Sequence, residues 1–502
     1  MNDGIGASAV TSLLSVLALI VVCVTTMLIA FFGLRISRTT SDFYVASRTV
    51  RPWWNASAIG GEYLSAASFL GVAGLIVLSG QSGLWFPIGY TAGYLMLLLF
   101  VAAPMRRSQA YTIPDFAQIR FDNSPALRKL TTYLVVVICW LYIVPQMHGA
   151  ALTLSIATGL PSWVGPVVVA AVVCVTVFSG GMRSVTFVQA FQYWFKLAAL
   201  VIPTIFLLIR AIPEQASSER AALLYTQLES VNTMNLYETV SIILALLFGT
   251  LGLPHVLVRF YTNPTGQAAR STTVIVLCLL SAFYLLPTTL GVLGILYTPE
   301  LGAINETDAT ILLLPARLFD GFLANVLTAI VVGGAFAAFL STTSGLAVSL
   351  AGAISQEFFS GTVRGFRIST VLAIALPVLI AVLTSSLALA GAIGNVFAFT
   401  ASTICPLLLL GIWWRSLTAK GAIAGLLVGS LTCGASLIAG IFLPATDQWW
   451  IHLLRQPAAW SVPLAFVVMI VVSHGTRRTV PGNVDRVMAL LHVPDRDAKF
   501  SA

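Results

Sequence analysis

Two long apolar stretches, in corresponding places along the chain, are each interrupted by small and polar residues, at 56–68 (ASAIGGEYLSAAS) and at 248–254 (FGTLGLP). A helix that gives up its own hydrogen bonds inside a bilayer is tolerated only where the freed amides and carbonyls line a cavity enclosed by protein. The two interruptions therefore restrict the chain to a bundle of helices around a central site. That pattern points to a transporter. The bilayer itself follows from composition, because 502 residues with 58% hydrophobic and only 9% charged side chains cannot present a polar exterior to water.

Windows of roughly 18 to 25 apolar residues, the length that crosses the hydrocarbon core, recur throughout. They fall near 9–34, 53–78, 83–104, 130–157, 163–178, 187–209, 237–258, 271–298, 322–352, 367–384, 387–413, 419–443 and 458–473. The expected fold class is an all-α polytopic membrane protein of about 13 transmembrane helices with a 5+5 inverted-repeat core. Counting spans between the breaks sets its organisation. A peripheral helix and cytoplasmic loop occupy 1–52, and a first repeat occupies 53–209. An external loop follows at 210–236, then a second repeat of opposite orientation at 237–413. Two further peripheral helices lie at 414–473, and a cytoplasmic tail fills 474–502.

The net charge of +8 encodes topology and not a nucleic-acid partner. Most of the 26 basic residues, among them Arg48, Arg106, Arg107, Arg120, Arg183 and Arg259, fall in loops on one side if the N-terminus is outside. Acids such as Glu214, Glu300, Glu306 and Asp308 crowd the other side. The expected location is the cell inner (plasma) membrane, multi-pass, with the C-terminus cytoplasmic. The first span lacks a basic flank before it, having Asp3 there and Arg35 and Arg38 after, so it is read as a retained helix and not a signal peptide. All six cysteines lie inside expected helices without metal-ligand spacing, and read as apolar packing residues.

The runs SDFYVASR at 41–48, SAASFLG at 65–71, SGGMRSVTFVQ at 179–189 and FGTLGLPHVLVRF at 248–260, in that order, resemble the sodium/solute symporter family. The similarity is narrower with its cation/acetate and monocarboxylate branch, and covers about 35–475. The resemblance implies thirteen helices with a leucine-transporter-like core. It also implies a sodium site made of the carbonyls of Gly61, Leu64 and Ala338 with the hydroxyls of Ser341 and Thr342. Oxygen ligands of that kind suit a small hard cation. Read alone, the Ser341–Thr342 pair equally fits hydroxyls bonding back one turn within their helix.

Glu62 stands next to the first break, where a carboxylate is costly unless it is neutralised or functional, and is a coupling candidate. Lys196, in the middle of the sixth span, has several readings: counter-charge for a carboxylate substrate, internal substitute for a cation, partner of Glu62, or a side chain snorkelling to water. His148 and His255 read first as hydrogen-bonded packing residues, with His255 the better candidate because it belongs to the GLPH motif.

For the solute, Ser65, Ala66 and Ser68 line the first break and Gly249, Thr250 and Gly252 the second, with Gln146 and Tyr142 on the fourth span. So few polar groups suit a small monocarboxylate of the acetate, propionate or pyruvate class better than a sugar, since helix-end amides favour an anion. The expected activity is symport of that solute with sodium or a proton by alternating access, with no cofactor beyond the coupling ion. No HExxH, GxSxG or acidic cluster marks an enzyme. A non-transporting nutrient sensor and a sodium symporter for another small organic solute are the alternatives.

Overall fold

The computed structural model describes residues 13–36, 39–122, 124–215, 235–304, 306–384, 389–443 and 448–494, and these form helices and the turns between them. Its principal helices are α1 (Leu13–Ile36), α2 (Pro52–Tyr63), α3 (Val72–Ser79), α4 (Trp85–Phe100) and α5 (Pro125–Thr158). There follow α6 (Val164–Gln215), α7 (Leu236–Gly252), α8 (Pro254–Phe260), α9 (Gly266–Tyr297) and α10 (Gly321–Phe358). The last are α11 (Val363–Leu383), α12 (Leu389–Ser402), α13 (Ile404–Trp413), α14 (Ala419–Phe442) and α15 (Ala458–Gly475). Among the described residues, ten helices are long and apolar enough to cross a bilayer, or eleven with the bent pair α7–α8 taken as one span.

Helix α6 runs for 52 residues, far longer than the roughly 20 that one crossing needs. Gly180 and Gly181 leave helical geometry within it, and Gly181 sits at φ +55 against the backbone of Phe43, a conformation and an approach that both favour a residue without Cβ. The chain therefore bends there without ending its hydrogen-bonded run.

Both sequence interruptions are breaks in space. Helix α2 begins with Pro52 in its first turn, where a missing N–H costs nothing, and stops at Leu64, whose ψ of 82 leaves the helical region. A π-helical turn over Ala67–Gly71 then leads into α3. In the second break Leu253 is extended (ψ 115), Pro254 has no N–H to donate, and α7 and α8 meet at 46°.

Packing centres on these broken elements. Helix α6 lies against α2, α1 and α10, while α7 lies against α12 and α4. Close approach is permitted by glycine in both places: a Cβ on Gly61 would collide with the Gln189 carbonyl of α6, and one on Gly249 would meet the Phe397 carbonyl of α12 at 2.5 Å. Helices α14 and α15 pack mainly on each other at the periphery.

The loop assignments of two arginines need correction. Arg259 is fully buried at the end of α8, and Arg120 is equally buried, donating from Nε to the Gly411 carbonyl (2.8 Å) and from Nη2 to that of Trp414 (3.0 Å). Arg120 thus satisfies the free carbonyls that end α13, which a loop reading of its charge does not reveal. The centre of the external loop (216–234), Arg38, and the tail from 495 onward lie outside the described residues. Asp308, expected among the acids of one side, is tied to the bundle and accepts a hydrogen bond from the Leu389 amide at the start of α12 (2.8 Å). All six cysteines are free.

Candidate functional site

The first break leaves carbonyls that no helical amide uses, and each finds a partner on another helix. The Leu64 amide still donates to Gly60 and the Ser65 amide turns back to Tyr63 (2.8 Å), so the chain closes tightly at this point. The Gly61 carbonyl accepts from the Ser341 hydroxyl (2.6 Å), and the Glu62 carbonyl from the Thr342 hydroxyl (2.6 Å), both on α10. Ser341 also lies 3.1 Å from the Ala338 carbonyl. The five residues expected to hold a cation are thus brought to one place, all completely buried.

Lys196 enters the same place. From α6 its Nζ donates to the Gly61 carbonyl (2.5 Å), the Leu64 carbonyl (2.7 Å) and the Ser341 hydroxyl (3.0 Å). It neither snorkels, being fully buried, nor forms an ion pair with Glu62. Of its sequence readings, the internal cation is the one its hydrogen bonds match.

Glu62 pairs instead with Arg259 (Nε to Oε2, 2.5 Å), with exposures of 1% and 0%. Arg259 also donates to the Thr186 hydroxyl (2.7 Å) and to the Gln189 side-chain oxygen, and Gln189 in turn donates to the Ser341 carbonyl (2.7 Å). The guanidinium is therefore held by three acceptors on two helices. Because Glu62 belongs to α2 and Arg259 to α8, this pair ties the two broken helices together. A second tie is the Asn55 side-chain amide on the Arg259 carbonyl (3.0 Å). Sequence reasoning missed Arg259, although the signal was present as a charged residue within the apolar run HVLVRFY.

Among the residues expected to line a solute site, the Ala66 amide, freed by the break, donates to Gln146 Oε1 on α5 (3.0 Å). That leaves Gln146 Nε2 buried without a hydrogen-bond partner. Thr250 meets the Tyr63 hydroxyl (3.3 Å) while donating to its own helix at Leu246. Ser68 is turned away toward the Tyr284 hydroxyl of α9 (2.9 Å). Gly252 packs on Thr400 and Ile404, so it and Gly249 serve the contact of α7 with the α12–α13 segment.

An aromatic group joins these residues. Tyr63 stacks edge-on with Tyr94 (4.6 Å between ring centres), and Tyr90 with Phe397 (5.1 Å), while Tyr142 contacts Phe397 and His255. The hydroxyls of Tyr90 and Tyr94 and both ring nitrogens of His255 are buried without hydrogen-bond partners. His148, by contrast, meets the Thr384 hydroxyl (3.2 Å) near the end of α11. Every residue of 56–68 and of 249–254 is buried, with Phe248 partly exposed at the edge, so the site is closed to both faces.

The chain is similar in sequence and in fold to known proteins. The profile of the sodium:solute symporter family matches residues 43–429. The uncharacterised symporter YwcA of Bacillus subtilis is 29% identical over 88% of this chain and 90% of its own length. A monocarboxylic acid transporter of Corynebacterium glutamicum is 27% identical over 98% of this chain and 96% of its own. In fold, the chain is similar to a sodium-coupled sialic acid symporter solved in a substrate-bound, outward-open state (TM-score 0.74, 12% identity, 92% of this chain and 98% of that one). With a family match spanning most of the sequence, and with paired broken helices meeting over buried, converging polar groups, this chain belongs to the sodium:solute symporter family and is a membrane transporter, not an enzyme.

Proposed function

We propose that the protein carries a small monocarboxylate, of the acetate, propionate or pyruvate class, together with a cation by alternating access across the inner (plasma) membrane. The observation that carries this reading is the set of buried donors without partners on the solute side: Gln146 Nε2 and the hydroxyls of Tyr90 and Tyr94. Buried polar groups almost always find partners, so donors left over in an aromatic enclosure favour a ligand that accepts hydrogen bonds and has a small apolar tail. A carboxylate meets both demands, whereas a sugar brings more hydroxyls than these few groups can serve. The name of the Corynebacterium glutamicum relative supports the same solute class.

Two features favour the finer architecture of thirteen spans in two inverted units. Division of α6 at Gly180–Gly181, and of the apolar 67–100 stretch at the turn Gly80–Leu84, turns over-long helices into separate crossings. The glycine-mediated contacts of α2 on α6 and of α7 on α12 then take equivalent positions in each unit. With the N-terminus outside, the two broken helices enter from opposite faces and meet near the midplane. Rocking of one unit against the other opens the closed site first to one side and then to the other.

Counterflow in proteoliposomes tests the proposal. Labelled acetate or pyruvate inside exchanges for unlabelled solute outside, and galactose does not compete. Binding without exchange would support a sensor, and exchange of an unrelated solute alone would refute the monocarboxylate assignment.

A further inference from the structure

A cation site in this family calls for a cluster of oxygens with room for an ion among them, and here the oxygens are present but the room is not. The Gly61 and Leu64 carbonyls and the Ser341 hydroxyl, three of the five expected ligands, all point to Lys196 Nζ at 2.5, 2.7 and 3.0 Å. An ammonium has three donors and no acceptor, and three acceptors converge on it, so its hydrogen-bonding capacity is filled. The other two ligands are committed as well: the Ala338 carbonyl faces the Ser341 hydroxyl, and Thr342 donates to the Glu62 carbonyl.

Charge gives an independent argument. A sodium ion among these oxygens would lie within contact distance of an ammonium, with no carboxylate free to offset the repulsion. Among the described residues the carboxylates of residues less than a tenth exposed are those of Asp42 and Glu62. Asp42 pairs with Arg183, and Glu62 with Arg259. The groups facing this point are therefore one lysine from α6, one carboxylate from α2 and one arginine from α8, and cations already outnumber anions.

We infer that the amino group of Lys196 takes the place of the sodium ion, so that this site is filled by a cation belonging to the chain and binds no sodium. A tethered cation braces α2 against α6 and α10 as an ion would, but it cannot leave with the solute. Whatever cation crosses with the solute is not held here as sodium. The inference deepens the proposed symport, and the binding part of its test needs no solute, so failure of the monocarboxylate assignment would leave it standing.

The test measures the thermal midpoint of the purified full-length protein in sodium chloride against potassium chloride at equal ionic strength, with uptake under the same two salts in parallel. Wild type and Lys196→Met, which fills the same volume without charge, should show the same midpoint in either salt, and wild-type uptake the same rate. Lys196→Ala empties the position and should gain a sodium-specific rise in midpoint, which Ser341→Ala in the same background abolishes. A sodium-specific rise in wild type that Ser341→Ala removes would overturn the inference, as would a folded Lys196→Ala that ignores sodium. Should Lys196→Ala not fold, the wild-type comparison decides alone.

Discussion

Replacing Arg259 by methionine puts the buried ion pair to a quantitative test. The substitution keeps an unbranched apolar side chain but strips the Glu62 carboxylate of its partner at 1% exposure, and leaves Thr186 and Gln189 without the donor they share. Removing one partner of a buried pair costs about 3–5 kcal/mol, because the remaining charge has no solvent to return to. Glu62→Gln should cost a similar amount by isolating the guanidinium. In the double variant neither charge remains, and the residual penalty is that of imperfectly matched polar groups, about 1–3 kcal/mol. The two losses are therefore strongly non-additive: the double variant should be more stable than the sum of the singles by at least about 3 kcal/mol, and by about 6 kcal/mol at the middle of those ranges. Equilibrium unfolding in mixed detergent micelles, followed by far-ultraviolet circular dichroism, measures all four proteins. Additive losses, or a neutral Arg259→Met, would refute the claim that these residues form one buried unit joining the broken helices.

Two further outcomes follow from the same geometry. Gln146→Leu leaves the Ala66 amide without an acceptor and removes the free Nε2, so it should cost about 1–3 kcal/mol in stability and abolish acetate and pyruvate counterflow; retained exchange would place the solute elsewhere. Asp308, in the turn Thr307–Ala309 between the long helices α9 and α10, has its carboxyl pushed up to about 6 by burial, partly opposed by the Leu389 amide. A carboxyl raised in the folded state binds its proton more tightly there than in the unfolded chain. Its contribution to stability is thus complete below about pH 4 and is lost as pH rises through about 6. Thermal midpoints of wild type should therefore carry a downward step across that window, which Asp308→Asn removes; an unchanged slope in the variant would refute it.

The legibility of the site differs residue by residue. Both breaks could be read because their cause is local: glycine pairs, a proline and small polar residues cannot sustain an apolar helix, and lipid offers no other partner for the exposed amides. The helices now seen to end at Leu64 and Leu253 lie within the stretches read from sequence. The gathering of Gly61, Leu64, Ala338, Ser341 and Thr342 was reached through family resemblance, since nothing in 338–342 alone distinguishes a ligand from a hydroxyl bonding within its helix. Arg259 was misassigned because charge counting treats an arginine beyond an apolar run as a loop residue. Its partner lies 197 positions away in sequence, beyond the reach of any local pattern.

The sequence by itself determined that the chain lives in a bilayer, that apolar helices cross it, and where two helices must break, because hydropathy and backbone hydrogen bonding act over a few residues at a time. Tertiary structure decided which charge meets which. Burial fixes the state of an ionisable group through whatever lies within a few ångströms, and those neighbours come from distant helices. Lys196 and Glu62 were both visible as costly charges in lipid. Only the folded bundle sends one to the carbonyls of the broken helix, 135 positions from Gly61, and the other to an arginine at the opposite break.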